Sequence, residues 1–174
     1  MIKDKIDIIR ELSVRTEMIA QLAEEANELA IATMEIKDNI IYKNNDEFIE
    51  KRNNFLEEVA DVKVTIDIIG DYNEKINPSF VELRHKDACD MLAKSCCELA
   101  KACIKYRRTL VPNASPTPVT ETEAEYRLIE AITKVRLYIN SLGNYWDYEK
   151  VNKIYKEKVD RCIDRMSKTK YSKG

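Results

Sequence analysis

Leu22 to Ala32 reads LAEEANELAIA, and seventy residues on Leu92 to Ala102 reads LAKSCCELAKA, with Leu, Ala, Glu, Leu, Ala and Ala in common. Around the first copy, Met18, Ile19, Leu22, Ala26, Leu29 and Met34 recur every three or four residues, the interval that stacks side chains on one face of an α-helix. Phe48, Phe55, Leu56, Val59, Val62 and Ile66 repeat that pattern beyond a polar connection at Lys43 to Asp46, and Gly70 marks its end. An antiparallel helical hairpin is the expected result. A second match, VKVTIDIIGDY (Val62 to Tyr72) over VRLYINSLGNY (Val135 to Tyr145), needs a shift of 73 residues, and the extra three fall in the intervening loop.

Two copies of one helix-loop-helix unit are therefore expected, one over about residues 14–72 and a degenerate one over about 84–145. Neither hairpin can bury its apolar stripe alone, so the expected fold is all-α, a helical bundle with a four-helix core. Ile6, Ile8, Ile9 and Leu12 predict a further helix at the N-terminus, with Ser13 as the N-cap of the next one. Asn77-Pro78 reads as a cap and first turn of a helix running to about Arg108, which VPNASPTPVT then stops. Thr120 with Glu123 is a capping-box pattern for a helix ending at Gly143, and a last helix spans about residues 147–166.

Composition agrees with one all-α domain over residues 1–174. The chain is 44% apolar and 34% charged with only three glycines and four prolines, a balance suited to long amphipathic helices. A net charge of −2 gives no field that would gather nucleic acid. The N-terminal MIKDKIDIIREL interleaves charge with isoleucine, unlike a signal peptide or a membrane span. Five cysteines, Cys89, Cys96, Cys97, Cys103 and Cys162, form no paired metal knuckle and suit a reducing cytoplasm, with Cys96, Cys97 and Cys103 expected to fill core space.

The acids of the first unit are grouped. Glu24-Glu25-x-x-Glu28 lies on one helix of the hairpin and Glu57-Glu58-x-x-Asp61 on its partner. Residues three apart lie within ~60° of each other around a helix, so each helix offers a carboxylate pair. One such motif in a chain this charged is ordinarily a solvated face. Two of them on consecutive antiparallel helices, both beside core-facing residues, place four carboxylates along the inner seam, where they repel unless a cation compensates them. Oxygen-only ligands at that density suit Mg2+ or Mn2+. A di-iron carboxylate bundle needs Glu-x-x-His, and the single histidine, His85, is in neither motif.

EEANELA followed by EEVADV resembles the paired E-x-x-E and E-x-x-D motifs of the all-α nucleoside triphosphate pyrophosphohydrolase superfamily, which includes the MazG-like enzymes and the dimeric dUTPases. The resemblance covers mainly Met18 to Tyr72. It implies Mg2+-dependent hydrolysis of a nucleoside triphosphate such as dUTP or dCTP to the monophosphate and pyrophosphate, with Glu25, Glu28, Glu58 and Asp61 as metal ligands. Glu24, or in its place Glu57, is then the candidate to orient or deprotonate the attacking water. Such chemistry needs metal, water and a carboxylate, and no nucleophilic side chain.

In the second unit the ligand positions read Ser95, Glu98, Ala131 and Lys134, so one active site per chain is expected. Lys134 stands where the first unit has an aspartate and is a candidate to face a metal-bound polyphosphate, with Lys101 and Lys105 as further substrate-binding candidates. Asn73, Lys75, Asn152 and Lys156 are the looser polar candidates, and Tyr42, Phe48, Phe55, Tyr72, Tyr145 and Trp146 the aromatic ones for a base. Ile6 and Ile9, if exposed, call for a homodimer to cover them. The rival expectation is a catalytically silent helical module that binds a protein partner.

Overall fold

A computed structural model describes residues 1–39, 46–70, 81–111, 118–142 and 147–171. These form six α-helices and no strand: α1 (Ile2–Leu12), α2 (Arg15–Asn39), α3 (Asp46–Ile69), α4 (His85–Leu110), α5 (Glu121–Ser141) and α6 (Tyr148–Tyr171). The expected all-α helical bundle is what the chain adopts. None of the described helices is long and apolar enough to cross a membrane.

Helix α2 lies at the centre, packed along α3 on one side and α4 on the other, while α4 carries α5. Helix α3 is covered by α6 and by α1, which also contact each other. Lys37 of α2 meets Asp90 near the start of α4, and Arg15 at the other end meets Tyr106, so α2 and α4 run antiparallel. One apolar cluster draws on all six helices, with Leu22, Leu29, Phe55, Leu56, Leu92, Leu99, Leu128 and Ile132 among its fully buried members. At about 25 cal/mol per Å2, burying each such side chain contributes roughly 1.5–3 kcal/mol.

Caps explain several boundaries. Thr120 accepts a hydrogen bond from the Glu123 amide at 3.3 Å and so starts α5, as the sequence pattern requires. Asp147 does the same for α6, its Oδ1 accepting from the Lys150 amide at 3.0 Å. Helix α3 ends at Ile69, where the Gly70 amide still donates to the Ile66 carbonyl at 3.3 Å.

Other expectations need correction. Ser13 caps nothing: it is the extended residue that ends α1, and its hydroxyl is buried without a partner. Residues 81–84 are not helical, so α4 starts at His85 and no single helix runs from Pro78 to Arg108; Asn77 and Pro78 themselves lie outside the described residues. Gly143 also lies outside them, and α5 ends at Ser141. Ile6 and Ile9 are buried at 5% and 1% exposure because α1 folds back on α3 and α6, whereas Ile8 and Leu12 on the same helix are exposed at 47% and 54%. Cys96 and Cys103 do fill the core, but Cys97 is exposed.

Candidate metal centre

Core packing decides where the acids of the hairpin point. Leu22, Ala26 and Leu29 on α2 are fully buried, as are Leu56, Val59 and Val62 on α3, which fixes the rotation of both helices about their axes. Glu25, Glu58 and Asp61 then fall along the α2–α3 seam, each half-buried, with one carboxylate oxygen apiece lying within 4.8 Å of the others. Those are three of the four acids that the family resemblance implies as ligands. The fourth, Glu28, is exposed and lines a cavity together with Glu25 and Asp61, outside that three-oxygen group.

Electrostatics of the group are unbalanced. The Glu58 carboxyl is pushed up to about 7, first by burial and then by the negative charges of Glu28, Asp61 and Glu25, with Lys158 offsetting part of the effect. Its Oε2 is buried with no hydrogen-bond partner. Burial also raises Glu25, against the hydrogen bond that it accepts from Gln21 Nε2 at 3.1 Å, and Asp61 and Glu28 raise it further. A buried carboxylate oxygen without a donor costs roughly 1–3 kcal/mol unless something coordinates it. Three carboxylates this close, one of them with a buried and unpartnered oxygen, fit a small hard cation held by Glu25, Glu58 and Asp61.

Helix α6 supplies what sequence reasoning missed. Lys158 donates a hydrogen bond to Asp61 Oδ2 and is itself largely buried. With Arg161 and Arg165 it lines a cavity of about 460 Å3 that Glu25, Glu28 and Asp61 also line. The signal was present, because Lys158, Arg161 and Arg165 stand at i, i+3 and i+7 on one helix face. What the sequence lacks is any indication that α6 folds back over α3. Asn152 and Lys156 lie on a separate surface of α6, and Asn73 and Lys75 fall outside the described residues.

Glu24 is exposed in a groove between α2 and α4, with Arg107 and Arg108, and Glu57 is exposed on α3; neither lines the cavity of the acidic cluster. Lys101, Lys105 and Lys134 are brought together, but in another cavity between α4 and α5 that contains none of the cluster acids. Of the aromatic candidates, Phe48 and Phe55 are buried, while Tyr42, Tyr72, Tyr145 and Trp146 lie outside the described residues.

A second buried feature holds the site in place. Asp67, two turns beyond Asp61 on α3, accepts a hydrogen bond from Tyr155 Oη of α6 at 2.9 Å and pairs with Lys63 at 3.4 Å and Arg136 of α5 at 3.6 Å. The neighbouring carboxylate and burial hold the Tyr155 phenol well above its ordinary range, burial being the larger cause. Arg10 of α1 donates to the Asp67 and Ile68 carbonyls at 2.6 and 3.1 Å, satisfying acceptors in the last turn of α3. One helix end thus ties α1, α5 and α6 to α3, and of these α1 and α6 line the cavity.

No protein-family model, curated protein or solved structure matches the chain.

Proposed function

We propose that the chain is a Mg2+-dependent nucleoside triphosphate pyrophosphohydrolase, releasing pyrophosphate and a monophosphate, with Mn2+ as an alternative ion. The observation that carries the reading is the convergence of Glu25, Glu58 and Asp61, with a buried Glu58 oxygen that has no partner. A bound Mg2+ supplies neutralisation of phosphate oxygens and a more acidic water. Around it, Lys158, Arg161 and Arg165 present positive charge to a polyphosphate entering the same cavity. Glu28 lines that cavity without joining the three-oxygen group, so the proton-accepting role first assigned to Glu24 or Glu57 passes to Glu28. In the same way, phosphate contact passes from Lys101, Lys105 and Lys134 to the cations of α6.

One observation favours the second reading, a catalytically silent helical interaction module. Lys158 already pairs with Asp61, and an internal ammonium in that position is a substitute for a metal. The two readings separate in a panel of ribo- and deoxyribonucleoside triphosphates incubated with Mg2+ and resolved by chromatography. Monophosphate and pyrophosphate should accumulate from at least one nucleotide, and Asp61→Asn should abolish the turnover. No product from any of them, together with no divalent-ion binding, sinks the enzymatic reading and leaves the module.

A further inference from the structure

The α4–α5 seam, which corresponds in sequence to the acidic α2–α3 seam, carries the opposite charge. Shifts of 70 and 73 residues lay Glu98, Ala131 and Lys134 over Glu28, Glu58 and Asp61. All three of those residues line one cavity of about 230 Å3, together with Lys101, Lys105 and Arg127. Its floor is built from Ala102 and Ala131, buried at 8% and 6% exposure, where a longer side chain would fill the depression. Four cations and two carboxylates, Glu98 and Glu130, surround that floor.

The cations are not all spoken for. Lys134 Nζ donates to Glu98 at 3.1 Å, and Arg127 pairs with Glu123 at 2.5 Å. Lys101 and Lys105 have no ion pair among the described residues, and they stand one turn apart on the same face of α4, where like charges repel. An anion between them would relieve that repulsion. No aromatic side chain among the described residues lines the cavity, so these residues offer charge to a phosphate and no stacking surface to a base.

We propose that this cavity is an anion site for a phosphate or diphosphate group, held by Lys101 and Lys105 with Lys134 alongside. The inference rests on the charge of this seam and is independent of the reading of the acidic cluster. It is tested by calorimetric titration of the full chain with inorganic diphosphate in metal-free buffer, where the acidic cluster repels anions. Binding is expected, weakening as KCl is raised. Lys101→Gln with Lys105→Gln should weaken it by at least about tenfold, the loss of one or two charge-assisted hydrogen bonds. Asp61→Asn should leave it unchanged.

Four results would overturn the assignment. One is no binding to the wild-type chain. The next is equal binding to the double lysine variant, whose helicity by circular dichroism should match wild type because both positions are exposed. The third is loss of binding in Arg161→Gln, which would place the anion on α6. The last is a nucleoside diphosphate that binds about tenfold more tightly than inorganic diphosphate, which would contradict a site for phosphate alone.

Discussion

Glu58 carries the clearest consequence at the scale of single residues. Its carboxyl lies at about 7 in the folded chain against an ordinary value of 4.5, so between those pH values the native state holds a proton that the unfolded state has released. Stability without metal should therefore fall as pH rises from about 4.5 to 7, by on the order of 2 kcal/mol, and change little above that window on account of this group. Chemical denaturation at several pH values in EDTA measures the slope. Glu58→Gln should flatten it, and an unchanged slope would assign the effect to other groups. Tyr155→Phe removes the hydroxyl that donates to buried Asp67 and should cost roughly 1–3 kcal/mol. If the melting temperature of that variant equals wild type, Lys63 and Arg136 satisfy Asp67 without the phenol. Much of the acidic site was legible in the sequence, because Leu22, Ala26 and Leu29 and Leu56, Val59 and Val62 fix the direction of the acids between them. Glu24 and Glu57 carry the same chemical signal as their neighbours, and only the rotation of each helix separates them from Glu25 and Glu58.

Elements were legible wherever a local cap or an apolar stripe set their ends. The Thr120 hydroxyl does start α5, and Thr120→Ala should lower stability by roughly 1 kcal/mol in a urea titration, whereas Thr120→Ser should leave it near wild type. No loss in the alanine variant would mean that the frayed first turn contributes nothing. Residues 81–84 show the limit of such reading, since no local signal places the start of α4 at His85 rather than near Pro78. The docking of α6 is a still longer-range matter. Its contacts with α3 run through Lys158–Asp61 and Tyr155–Asp67, pairs that are 97 and 88 residues apart in the chain. A cationic row on a last helix reads in isolation as a solvated face, and only its return across α3 brings it to the acids.

The whole molecule is organised around the antiparallel contact of α2 with α4, the first helices of the two repeated segments. On each, the following helix packs alongside and leaves a seam, acidic between α2 and α3 and basic between α4 and α5. The charge of the two seams differs, while Leu22 and Leu29 on α2 and Leu92 and Leu99 on α4 are alike fully buried. Leu99→Ala should accordingly cost about 2–5 kcal/mol even though it lies in the helix without the acidic cluster. An ion bound at the acidic seam would stabilise the same cooperative unit by RT ln(1 + [L]/Kd), about 2.7 kcal/mol at a hundredfold excess over Kd. The most direct measurement is thus a calorimetric Mg2+ titration of the wild-type chain beside one of Glu58→Gln with Asp61→Asn. Saturable binding to the wild type and none to the variant is the predicted result, and a wild type that binds no divalent ion, or a variant that binds equally well, would contradict a metal held by Glu25, Glu58 and Asp61.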